Sequence, residues 1–397
     1  MIGRHSWQLA WQLGAGTALA LSILAGGASA FAASVPKATL DVLKSYKVDE
    51  SVLSGLDEEL AVPESWIAGA KKEGGVKVLD NLTDAQFRDM TAPFRERYPF
   101  IKFTYSQGTY QARTTRVLVA FKAGNFPYDV ITDFGGFYSV FLENGVLADL
   151  SDMPTYKKLE PGTHGDNGIW VGYRRQYWCA AYNTSLVKPE NLPKTWDDLL
   201  ENPAWRNKNL ALGNRPQLWI LMLWNQSGED WTRRFVQRLF SEVKPQLRME
   251  GMDMLPALAG AGEFSMIVPT SEFQVQQLQA TGAPINFHCP EPVPATVAMK
   301  GIVKGSPNQY AAKIYLNWLL SKEGQIMQAR LSDSIPVRAD LQQKEFIPFA
   351  DEIVGKKTAF RSLDVIETLG PTVQKFWNES WAKAGGKTAP RSGGGPE

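Results

Sequence analysis

Twenty consecutive residues, GIWVGYRRQYWCAAYNTSLV (168–187), constrain the fold of this chain more than any other stretch. They contain no proline and are dense in aromatics and valine, so they read as one extended strand. Most strands end within about ten residues. A longer one suits a connection that leaves one lobe and runs on into another.

On its N-terminal side helices and strands alternate. PESWIAGAKKEGGVKVLDNLT (63–83) reads as a helix closed by Gly74-Gly75, a buried strand Val76 to Leu79, and a loop from Asp80 to Thr83. A helix broken near Pro99, a strand Ile101 to Tyr105, a further helix and a strand Asp129 to Thr132 follow, the last running into Asp133-Phe-Gly-Gly136. Beyond the long run, Leu186 to Gln279 holds its own helices and the apolar strands NLALG and FSMIVPTS, enough for a second lobe. One of those helices starts in LPKTWDDLL (192–200), where Thr195 and Asp198 have the spacing of a capping box. APINFHCPEPVPATVAMKGIVKGS (283–306) is extended again, so the chain crosses between lobes and returns. The expected class is α/β, with ligands gathering at the carboxyl ends of the strands.

A chain of 397 residues that is 44% hydrophobic and 21% charged has room for two compact domains. Its opening stretch, residues 1–34, carries Arg4, a long apolar run without acids, and small residues at Ala28 and Ala30 or at Ala30 and Ala32, the three regions of a cleavable export signal spanning residues 1–30. Without them the chain has 41 basic and 41 acidic residues, which argues against a nucleic-acid partner. No later segment offers the ~20 uninterrupted apolar residues of a membrane span. The expected compartment is the periplasm. Cys179 and Cys289, the only cysteines, read either as a disulfide formed in an oxidising compartment or as two buried thiols.

In their order, SWIAGAKKEGGVKVLDNLT, APFRERYPFIKFTY, YDVITDFGGFYSVFLENGVLADL, CAAYNTSLVKPENLPKTWDDLLENPAW, GAPINFHCPEP and KGIVKGSPNQYAAKIYLNWLLSKEGQ resemble the extracellular solute-binding proteins of ABC importers, particularly the group that includes ferric-ion binders. The resemblance implies a two-lobed type II periplasmic-binding fold with a ligand cleft between the lobes, which close when a ligand bridges them. It implies a small-molecule solute and an inner-membrane ABC permease as partners, a monomer, and no cofactor. On this reading 1–30 is the signal, 31–62 an N-terminal extension, 63–174 with 292–385 the first lobe, 175–291 the second, and 386–397 a flexible tail. Cys179 on the outgoing crossing and Cys289 before the returning one then lie near each other, where a bridge would staple the hinge.

In the ferric branch the resemblance implies iron held by neighbouring tyrosines in a segment matching MIVPTSEFQVQQLQATGAP. Here that stretch has Ser271-Glu272-Phe273 and no tyrosine pair. His164 and His288 lack metal-ligand spacing, so no metal site is expected. Candidate contacts are loop residues at strand ends: Asn81, Thr83, Tyr110, Arg113, Asp133, Gly135 and Gly136 from the first lobe, Arg174 at the hinge, and Gln217, Ser271 and Glu272 from the second. Arg174-Arg175 is the sharpest feature, because a guanidinium clamps a carboxylate or phosphate bidentately. Strand neighbours face opposite ways, so one of the two at most faces the cleft. Trp170, Tyr173, Tyr177, Trp178 and Tyr182 read mainly as packing for the long strand. The expected ligand is an organic or phosphorylated anion, with ferric ion second and a cationic solute held by Asp133 and Glu272 third. An exported hydrolase is the rival from another class, but no G-x-S-x-G, H-E-x-x-H or P-loop motif occurs.

Overall fold

Residues 34–387 are described in the computed structural model, apart from 166, 332–334, 342 and 362. The expected export signal and the tail from 388 onward lie outside the described residues. The strands are β1 (Gly75–Asp80), β2 (Lys102–Gln107), β3 (Val130–Thr132), β4 (Val171–Asn183), β5 (Leu210–Gly213), β6 (Gln246–Arg248), β7 (Met266–Ser271), β8 (Ile285–His288), β9 (Val293–Ile302) and β10 (Thr358–Phe360). The long aromatic run is β4, a strand of 13 residues shared between two sheets. Its first half, Val171 to Tyr177, pairs antiparallel with β9. Its second half pairs antiparallel with β7 from Trp178 and with β8 from Ala180.

In the first lobe β1 lies parallel between β2 and β3, and β3 joins β9 antiparallel. In the second, β5 lies parallel between β6 and β7. The inner strands β3 and β5 are short and buried on both faces, as helices on either side of an α/β sheet require. Each lobe has its own core. Val76, Val78, Phe87, Phe94, Tyr315 and Trp318 belong to the first, and Trp196, Trp205, Trp219, Phe235 and Val268 to the second. A third cluster lies along the crossing strands and holds Tyr177, Phe287, Ala295 and both cysteines. Within it Cys179 and Cys289 form a disulfide with a Cα–Cα distance of 4.9 Å.

Three features differ from or add to the sequence reading. The helix Gly370–Lys383 does not stay with the first lobe, where the span 292–385 put it. Val373, Phe376, Trp377 and Trp381 are buried in the second core, and Trp377 Nε1 donates to Asn214 Oδ1 at 2.8 Å. The capping box in LPKTWDDLL is half formed: Asp198 accepts from the Thr195 N–H at 2.8 Å, while the helix itself is only Asp198–Glu201. The extension docks on the first lobe. Leu43, Leu53 and Leu56 enter its core, Glu59 pairs with the buried Arg338 at 2.6 Å, and Thr39 donates to Glu323 at 2.8 Å. Arg97 and the Trp318 indole donate to that same Glu323 carboxylate, each at 2.7 Å.

Candidate functional site

The site begins with a buried ion pair. Asp80 ends β1, Thr132 ends β3, and Lys300 stands opposite Thr132 on β9. The Lys300 amine donates to the Asp80 carboxylate and, at 2.7 Å, to Thr132 Oγ1. It also lies 4.3 Å from the centroid of the Tyr173 ring, within cation–π range. Burial pushes the Asp80 carboxyl up, but Lys300 beside it outweighs that and holds it below the usual range. These two charges neutralise each other and fix the ends of β1, β3 and β9 in register.

Asp133 sits above this pair. It leaves β3 with φ at 50°, in the left-handed region that aspartate tolerates better than most residues. Its Oδ2 accepts from Asn81 Nδ2 at 2.8 Å and from the Tyr173 hydroxyl at 3.2 Å. Arg113 Nη1 and Arg174 Nη2 stand 3.7 and 3.8 Å from the same oxygen, beyond a hydrogen bond. That Tyr173 and Arg174, adjacent on a strand, reach one carboxylate follows from a register shift between Gly172 and Arg174 against β9. A bulge re-aims side chains that a regular pleat would send to opposite faces. Arg175 keeps the alternation and pairs with Glu160 at 2.5 Å.

Two guanidiniums therefore share one carboxylate at a distance that leaves donors unused. Arg113 Nε and Nη1 and Arg174 Nε are buried with no hydrogen-bond partner among the described residues. Such groups cost roughly 1–3 kcal/mol each unless something accepts from them. The local surplus is one positive charge, since Lys300 is matched by Asp80. The arrangement suits an anion with acceptor oxygens. Among the described residues no group of His, Cys, Asp and Glu is arranged to hold a metal ion.

Of the residues singled out in the sequence, Asn81, Arg113, Asp133 and Arg174 come together here. Tyr110 opens the short helix that carries Arg113 (Tyr110–Arg113); it is half-buried, and burial pushes its phenol up while Arg113 pulls it down. Gly135 and Gly136 begin a 3-10 turn just past Asp133. A Cβ at Gly135 would stand 3.4 Å from the Met299 methyl, an ordinary contact, so no close approach demands glycine there. Thr83 and Ser271 serve as capping-box residues with Gln86 and Gln274, which uses their hydroxyls locally. Gln217 offers its carbonyl to Arg361 Nη1 at 3.0 Å. Tyr173, Asp80 and Lys300 escaped the sequence reading. Tyr173 looked like strand packing, and the one signal of the bulge that turns it, Gly172 inside the strand, went unused.

Glu272 is tied to β4. It is 1% exposed, and one carboxylate oxygen accepts from the Tyr177 N–H of β4 at 2.9 Å. Its other oxygen has no partner among the described residues. Burial pushes its carboxyl up to about 7, with the Glu272 and Tyr177 N–H groups and Arg174 pulling the other way. A carboxyl raised in the folded state contributes most below its unfolded value and loses that contribution as pH rises towards 7. Glu272→Gln is therefore expected to stabilise the protein at pH 8 by up to about 3 kcal/mol and to change little at pH 4. Thermal unfolding at both values checks this; an equal effect at both contradicts it.

A family profile described as bacterial extracellular solute-binding protein matches residues 65–326. The curated Iron uptake protein A1 of Synechocystis is 21% identical over 255 residues, covering 60% of this chain and 68% of that protein. Among solved structures, Trichodesmium FutA (IdiA) with iron and citrate has a TM-score of 0.65 at 19% identity, covering 79% of this chain and 100% of the other. A putative extracellular solute-binding protein from Bordetella parapertussis has a TM-score of 0.65 at 16% identity, covering 78% and 99%. At such identities the structures establish a shared two-lobed fold. With residues 65–326, well over half of the chain, matched by the family profile, the chain belongs to the bacterial extracellular solute-binding proteins, the solute-capturing components of ABC transport.

Proposed function

We propose that this chain captures a small organic or phosphorylated anion in the periplasm and delivers it, as a monomer, to an inner-membrane ABC permease. The observation that supports the anion is the pair Arg113 and Arg174, each too far from Asp133 to bond it and each with unused buried donors. The ligand's oxygens accept from both guanidiniums, and its closure partners come from the second lobe. The working division is 63–174 with 292 to β10 as the first lobe and 175–291 with the helix Gly370–Lys383 as the second. β4 and β9 are the crossings about which the lobes close.

Mass spectrometry of the solute that co-purifies from native expression identifies the ligand, and calorimetry with that solute tests the contacts. Arg174→Gln is expected to weaken binding roughly 10- to 100-fold, the value of a charge-assisted hydrogen bond. A change below twofold sinks the reading. Incubation with the solute should raise the melting temperature without turnover, which separates a receptor from the hydrolase alternative.

Ferric ion is the second reading. It is favoured by the name of the Synechocystis relative and by the iron in the Trichodesmium complex. Against it, the stretch MIVPTSEFQVQQLQATGAP carries Ser271-Glu272-Phe273 and no tyrosine pair. A coloured, iron-loaded preparation overturns the anion reading.

A further inference from the structure

The carboxyl end of β5 presents a second group of guanidiniums. Arg361, between β10 and the helix Leu363–Thr368, donates to the carbonyl of Gln217 on the loop after β5. Leu363, two residues on, stands 3.8 Å from where a Cβ on Gly135 would lie, and Gly135 is two residues past Asp133. Arg361 therefore lies where the loop after β5 in the second lobe meets the loop after β3 in the first. Both loops follow strand carboxyl ends, the place where open α/β sheets take their ligands. Arg215 is on the same β5 loop, its Nη1 donating to Asn214 O at 3.0 Å.

Neither Arg215 nor Arg361 has a carboxylate within ion-pair distance among the described residues; each makes its hydrogen bond to a backbone carbonyl. Burial with no acid beside it pulls the Arg361 guanidinium down to about 10. Arg215 and Arg361 are both partly buried, and a cation so placed without a counter-charge loses hydration that an arriving anion would offset. Asp80 is already matched by Lys300, so the cleft loops carry Arg113, Arg174, Arg215 and Arg361 against Asp133 and the buried Glu272, whose carboxyl burial pushes up to about 7. A singly charged solute leaves that surplus largely uncompensated.

Building on the anion reading, we infer that the solute is an organic dianion, one anionic end held by Arg113 and Arg174 and the other by Arg361 with Arg215. Closure then has a direct cause: the second anionic end draws the β5 loop and Arg361 towards the site at Asp133, which gives the closed form its differential affinity.

The test is calorimetry on the exported chain with succinate and glutarate as dianions and butyrate and pentanoate as their singly charged counterparts. At least one dianion is expected to bind at least tenfold more tightly than its counterpart. Arg361→Gln should weaken that dianion tenfold or more while leaving the monoanion within twofold. Arg361→Lys, which keeps the charge, should retain most of the affinity, so a loss in both variants signals damage to the fold, checked by circular dichroism. If Arg174→Gln weakens binding and Arg361→Gln does not, the dianion inference falls and the anion reading stands. If no dianion exceeds its counterpart, the inference also falls. If Arg174→Gln changes no affinity, both fall.

Discussion

Replacing Lys300 by methionine is expected to lower the unfolding free energy by about 3–5 kcal/mol, the usual cost of stranding one partner of a buried ion pair. Both members are essentially excluded from solvent, at 1% and 0% side-chain exposure. The variant leaves Asp80 charged, buried and bonded only to the Asn81 N–H, and it removes the cation above the Tyr173 ring. The sign with pH follows. Asp80 is held below its ordinary value in the folded protein, so its contribution is present above about pH 4 and is lost as pH falls further. In the variant burial is opposed only by the Asn81 N–H and Arg174, and the carboxyl takes up a proton more readily. Denaturant unfolding should therefore show the full loss at pH 7 and a smaller one at pH 4. The double variant Asp80→Asn with Lys300→Met should recover most of the stability, as a coupled pair requires. A loss below about 1 kcal/mol at pH 7 contradicts the assignment.

Opening the disulfide is the second large effect. Cys179 and Cys289 close a loop across 110 residues, and the chain-entropy estimate for a loop of that size is about 4–5 kcal/mol. Cys179→Ala with Cys289→Ala should lower stability by that amount, with a small addition because both positions are fully buried in the crossing-strand cluster. The bridge ties the second half of β4 to the segment between β8 and β9, so its loss should also loosen the geometry from which the lobes turn. Unfolding midpoints with and without reductant check the first claim. Midpoints that coincide contradict it.

Much of this architecture was legible in the residues because periodicity and length report on burial. The aromatic run from Trp170 to Tyr182 had to be a strand, and its length required a crossing between sheets. Arg113, Asp133 and Asn81 were legible because strand ends in α/β folds carry the ligand loops. Arg174 was legible as a charge in an otherwise apolar strand. What stayed hidden depends on contacts between distant segments. Lys300 in VAMKGIV looks like any strand lysine until β1 brings Asp80 beneath it. Tyr173 joins the site only through a register shift against β9. Trp377 and Trp381, one helical turn apart, announce a buried face but not that the face belongs to the second core. Thr83 and Ser271 have a local role that the residues also announced. Both begin helices, and their hydroxyls accept from backbone N–H groups of their own caps.

The central claim is that one captured anion bridges the lobes and holds them shut. Small-angle scattering of the protein, stripped of solute and then saturated with the anion that co-purifies, tests it most directly. The account predicts a smaller radius of gyration on saturation, with the contraction lost in Arg174→Gln at the same solute concentration. Superimposable curves for the stripped and saturated wild-type protein, with tight binding verified in the same sample, contradict it.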